Sequence, residues 1–138
     1  MKPSVVFMFG ATLLSLGGGD RIEIAQSNPE FRDSLVRHIV LVDLKSKVPN
    51  SQIEELFETG EVQLAKIPGV VTVDFGRKAR GDRPVHISDY DIAVYMEFES
   101  LEDLDRYQSH PIHQEFLKDN QHLWNGLQVL DFYGNPSL

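Results

Sequence analysis

The chain has 138 residues, room for one ordinary domain, and its 41% hydrophobic and 25% charged content excludes wholesale disorder. Its 13 Lys and Arg against 21 Asp and Glu leave a formal charge of −8, the wrong sign for a protein that coats nucleic acid or an acidic membrane. With no cysteine, disulfides, thiol catalysis and thiolate metal sites are excluded as well.

In chain order, Lys2 is followed by an uncharged apolar run from Val5 to Leu16 and then by Gly17-Gly18-Gly19. One basic residue, a short apolar stretch and small residues outline a secretory signal peptide over residues 1–19. The run falls short of the roughly 20 apolar residues a spanning helix needs, so no membrane span is expected. On this reading the protein is exported, periplasmic or extracellular. The other reading is an ordered amino-terminal arm on a cytoplasmic protein. Residues 20–36 read as a polar connector with a turn at Asn28-Pro29, and residues 37–134 as the domain.

Arg37 to Leu44 is rich in β-branched residues and predicts a strand. Pro49-Asn50-Ser51 supplies a turn and helix cap, and Ile53, Leu56, Phe57, Leu64 and Ile67 recur at helical spacing until Pro68-Gly69. Val70 to Phe75 is a second strand, residues 76–89 a polar loop, and Tyr90 to Phe98 a third strand. Ser100-x-x-Asp103 matches a capping box for a helix carrying Leu101, Leu104 and Tyr107. Ser109-His110-Pro111 breaks that helix and restarts it, placing Ile112, Phe116, Leu117, Leu123 and Trp124 toward the core. Leu127 to Tyr133 closes as a fourth strand. The order βαββαβ predicts an α+β, ferredoxin-like protomer.

Alternation puts His38, Val40 and Val42 on one face of the first strand and Ile39 and Leu41 on the other. Val94 and Met96 oppose Ala93 and Tyr95 on the third strand, and Leu127 and Val129 oppose Leu130 and Phe132 on the fourth. Both faces are apolar, yet the helices can cover only one. Pairing of two copies through the other face, which makes a homodimer, is the simplest remedy.

Arg37-His-Ile-Val-Leu, Ile67-Pro-Gly, Phe75-Gly-Arg77, Glu97-Phe-Glu-Ser100 and especially His110-Pro-Ile-His-Gln-Glu-Phe116 resemble the stress-responsive dimeric α/β-barrel family (Dabb). The resemblance covers about residues 37–133. It implies ferredoxin-like protomers whose sheets pair into a dimeric α/β barrel. One plant member of that family is an enzyme that cyclises a linear polyketide by aldol chemistry. Its general-base histidine corresponds to His113, its assisting tyrosine to Tyr107 and its first-strand histidine to His38. A pocket tyrosine of that enzyme becomes Gly60 here, and a third-strand histidine becomes Ile92.

A cavity for a small apolar molecule is therefore expected between the helices and the sheet face of Val40, Val42, Val94 and Met96. Gly60, beside Phe57, would widen it, His110 and Phe116 would join the lining, and His38, Tyr107 and His113 would turn polar atoms inward. His113 and Tyr107 are the candidate catalytic pair, a base and its hydrogen-bonding partner. The bland reading makes His113 a capping residue, Tyr107 a packed aromatic and Gly60 a site of close helix packing. The His110-x-x-His113 spacing, with Glu115, Asp119 and His122 nearby, lacks the register that presents two imidazoles from one unbroken helix, so no metal is expected. No motif calls for a cofactor. Two functions stand: a homodimer that binds a small apolar ligand, and a cofactor-independent cyclase, lyase or monooxygenase-like enzyme using the His/Tyr pair.

Overall fold

Branched side chains are stiff at χ1 and favour extended backbone, and the first described element is a strand of that kind, β1 (Val36–Leu44). The computed structural model describes residues 34–135. The export signal expected over 1–19 and nearly all of the 20–36 connector lie outside the described residues. After β1 come α1 (Asn50–Leu64), β2 (Val70–Arg77), β3 (Ile92–Phe98), α2 (Leu101–Ser109), α3 (Pro111–Asn120), a 3-10 turn (Gln121–Leu123) and β4 (Trp124–Tyr133). Residues Val36–Phe132 make one unit, which carries everything below. In the other unit, the Gly134 amide donates to the Leu35 carbonyl at 2.9 Å.

The sheet order is β2-β3-β1-β4, the order of a ferredoxin-like fold. β1 and β2 both run antiparallel to β3, with Val40 and Phe75 each opposite Val94 and His38 opposite Met96. α1 packs against β2 and α3, and α2 against β3 and α3. Together the helices enclose Val36, Leu64, Ile92, Met96, Phe98 and Leu104, the largest fully buried side chains. Burial of each such group contributes about 1.5–3 kcal/mol.

Local sequence explains most boundaries. Ser100 Oγ accepts from the Asp103 amide at 3.0 Å, as the capping box requires. α1 differs: its N-cap is Pro49, which offers no side-chain cap, and Asn50 is already helical. Its amide side chain instead bonds Glu54, and its oxygen accepts from Arg77. Leu123 and Trp124 do not continue α3. Asn120 Nδ2 takes the Phe116 carbonyl, and the Leu123 carbonyl accepts from Lys45, so the chain is already paired to the end of β1.

The face of the sheet away from the helices carries Ile39, Leu41, Ala93 and Tyr95, all half-buried, with Leu130 and Phe132 57% and 42% exposed on β4. A polar string crosses it. Tyr95 Oη donates to Glu97 Oε2 at 2.7 Å and Thr72 Oγ1 to Glu97 Oε1 at 3.1 Å. Among the described residues no helix is long and apolar enough to cross a membrane.

Candidate functional site

The helix-facing side of β1 brings His38 inside, 5% exposed, edge-on to Phe98 at 5.9 Å and to Tyr107 at 6.0 Å between ring centroids. Its Nδ1 lies 2.5 Å from Asp131 Oδ1 on β4. An ionised carboxylate can only accept, so Nδ1 carries the proton and Nε2 is the nitrogen left to meet anything else.

Tyr107 lies in the last turn of α2 on its buried side, 4% exposed, and burial pushes its phenol well above the ordinary range. It remains a protonated hydrogen-bond donor. His113 stands six residues on, a separation that would put the two on different faces of one straight helix. The break brings them together. His110 adopts extended backbone (φ −66°, ψ 138°), Pro111 opens α3, and the rings of Tyr107 and His113 stack at 4.2 Å and 32°.

His113 Nδ1 is 3.1 Å from the Gln108 carbonyl oxygen, which can only accept, so this nitrogen too holds a proton and Nε2 holds the lone pair. Burial lowers the His113 pKa, the Gln108 carbonyl opposes that shift, and the neighbouring His38 adds to it. The net effect is a neutral imidazole presenting a free base nitrogen.

These groups border a cavity of about 250 Å³. His38, Val40, Val42, Val94, Met96, Tyr107, His113 and Phe116, all expected in the lining, do line it. Phe57, Gly60 and His110 do not. Phe57 stacks against Phe75 and beneath the Arg77 guanidinium. Gly60 does not open onto the cavity, because the space above its Cα is filled by the Phe75 and Phe116 rings. His110 turns its Nδ1 to the Ile112 amide at 3.1 Å and caps α3. Ile92 is fully enclosed in the core.

Leu56, Leu64, Phe75, Gln108, Leu117, Trp124, Leu127 and Val129 complete the lining and were not legible as lining residues. Among the residues that line the cavity there is no Lys, Arg, Asp or Glu, so it offers no partner for a formal charge. Leu127 and Val129, 41% and 56% exposed, mark its mouth on the β4 edge. Asp131, on the same face of β4, was also missed. The signal was its parity with Leu127 and Val129, a lone acid on an inward-facing row.

A wider hollow of about 870 Å³ lies between α1 and α3, but its walls are polar and include Glu55, Glu115, Asp119 and His122. Among the described residues no group of three His, Asp or Glu is placed to hold a metal. Two cations of the β2–β3 loop are taken up locally, Arg80 by Asp82 and Lys78 by the Ser88 carbonyl.

Fold, sheet order and the broken second helix together define a ferredoxin-like domain of a particular kind. The chain belongs to the stress responsive A/B barrel domain family (Dabb), which it matches over residues 36–133. Among curated relatives it is similar to olivetolic acid cyclase of Cannabis sativa, 28% identical over 101 residues that span 70% of this chain and 94% of the relative. Among solved structures it is similar to a dimeric ferredoxin-like protein of unknown function from Thermobifida fusca, 23% identical with TM-score 0.62, covering 78% of this chain and 97% of that one. A hydroxynitrile lyase from Passiflora edulis is 22% identical with TM-score 0.64, covering 77% and 98%. At these identities the solved structures establish the fold.

Proposed function

We propose that the protein works as a homodimer, joined through the sheet face of Ile39, Leu41, Ala93, Tyr95, Leu130 and Phe132. Each protomer binds a small, uncharged, mostly apolar molecule carrying one carbonyl or hydroxyl oxygen. The dimer rests on an apolar sheet face that no helix covers and on the dimeric character of the Thermobifida neighbour. The ligand reading rests on a single observation. An apolar cavity without formal charge has Tyr107, Gln108, His113 and His38 as its polar lining. Tyr107 donates to the ligand oxygen, and the hydrocarbon part lies against Val40, Val42, Val94 and Met96. Calorimetric titration with acetophenone tests this. Saturable binding by the wild type, lost in Val129→Asp at the exposed mouth while the fold is kept, is the expected result. Binding that survives Val129→Asp unchanged contradicts it.

The His113 tautomer favours a second reading, acid–base chemistry. Nε2 of His113 removes a proton from a carbon beside the carbonyl, the C–H electron pair moves into an enolate, and Tyr107 steadies the oxygen as it gains charge. This is the step an aldol cyclisation requires. His113→Asn then lowers turnover about 10²-fold or more without unfolding the protein. The acid limb of activity shifts down from the ordinary histidine value, because burial lowers the His113 pKa. If the cavity only binds, the same substitution changes affinity and leaves no reaction to lose. Removal of residues 1–19 on export belongs to this proposal too. An intact chain starting at Met1 in the cytoplasm of the native host contradicts that part.

A further inference from the structure

Gly60 is buried inside α1, four residues before its last residue, Leu64. Glycine there loses more backbone freedom than any other residue, so some packing need must offset it. The need is specific. A methyl at Gly60 would collide with Phe75 Cζ, stand 2.7 Å from Phe75 Cε1 and press on Phe116 Cε1 at 3.2 Å. Both rings line the apolar cavity, and Gly60 does not. Phe75 has little freedom elsewhere. Its backbone is paired to Val94, its amide donates to the Glu61 carboxylate at 3.2 Å, and Phe57 backs its ring at 5.8 Å. Phe116 meets it edge-on at 6.2 Å and would be pushed with it. The open side for the Phe75 ring is the cavity, whereas Phe116 also borders the wider hollow between α1 and α3.

We propose that Gly60 is the specificity-determining position of this cavity. By seating the Phe75 ring against α1, it sets the length of apolar group the cavity admits, without touching what is bound. The inference rests on the cavity being a binding site.

The test titrates wild type, Gly60→Ala and Gly60→Ala/Phe75→Leu with straight-chain methyl ketones of increasing length. Gly60→Ala should leave the shortest ketones within about twofold and weaken the longest accepted one about tenfold or more, since each methylene in such a pocket counts. Removing the displaced ring with Phe75→Leu should restore the longer ketones. Equal weakening at every length, or none, overturns the inference while the binding reading stands. A crystal structure of Gly60→Ala gives a readout that needs no ligand. Phe75 shifted into the cavity supports the inference; Phe75 in place with α1 moved instead overturns it. If wild type binds no ketone of any length, the binding reading fails, and specificity control fails with it. Should Gly60→Ala not fold, Phe75→Leu alone carries the test, and an unchanged length limit contradicts the proposal.

Discussion

Three side chains at the cavity are fixed by groups that can do only one thing. Asp131 can only accept, so it orients His38; the Gln108 carbonyl can only accept, so it orients His113; burial keeps the Tyr107 phenol protonated. Asp131→Ala leaves a buried imidazole N–H without its charged partner. It should cost about 1–2 kcal/mol, with Asn at the same position recovering much of that, read by urea denaturation. A loss within error would mean the half-exposed Asp131 does not hold His38. His113 supplies a pH signature. Its folded pKa lies below the ordinary 6.5, so between the two values the unfolded chain binds more protons. The contribution of His113 to stability is complete above about pH 6.5 and is lost as the pH falls through the folded pKa. His113→Asn should therefore flatten the decline in stability over that window, and identical slopes in both proteins would contradict the assignment. Tyr107 and His113 were legible from the sequence because the motif is local. Asp131 was not. It meets His38 from a separation of 93 residues, and only the register between β1 and β4 decides that they are partners.

At the scale of elements, the break between α2 and α3 is what turns two distant residues into a stacked pair. Pro111 and the extended backbone at His110 make it, and the His110 side chain stabilises it by capping. His110→Ala should destabilise the protein by about 1 kcal/mol, with Asn, another good N-cap, restoring it. Ligand affinity at saturating stability should hardly change, because His110 is not in the lining. A large affinity loss with no change in melting would reverse that assignment. The break itself was legible in Ser109-His110-Pro111, but α3 stops at Asn120, short of the Leu123 and Trp124 that the helical spacing assigns to it. The capping role was not legible, since a histidine before a proline reads equally as liner or cap until the Ile112 amide is located. Gly60 shows the same limit. Its helical setting was clear from spacing, but the ring that fills its space comes from β2, and no local pattern gives that packing.

For the whole molecule, the decisive feature is a sheet with two apolar faces and helices on one. The covered face and its alternation were read directly from Val40, Val42, Val94 and Met96. The open face now shows a polar string as well, where Glu97 accepts the Tyr95 hydroxyl and so raises the Tyr95 pKa. Tyr95→Glu would put a carboxylate beside Glu97 in the middle of that face. It should dissociate or unfold the dimer, because a second carboxylate would be buried against Glu97. Light scattering checks this against a wild-type interface expected to exceed about 1,200 Å² in total. A stable wild-type monomer at micromolar concentration would contradict the dimer.

The cavity is the centre of this account, and the five histidines of the chain report on it with built-in controls. His38 and His113 line the cavity, while His110 caps α3, His122 borders the polar groove and His86 binds within the β2–β3 loop. Histidine side-chain ¹⁵N NMR during titration with acetophenone is therefore the most direct measurement. The account predicts saturable shifts at His113 Nε2 and at His38, with His86, His110 and His122 unmoved. Shifts confined to those three, or no saturable shift at His113, would contradict it.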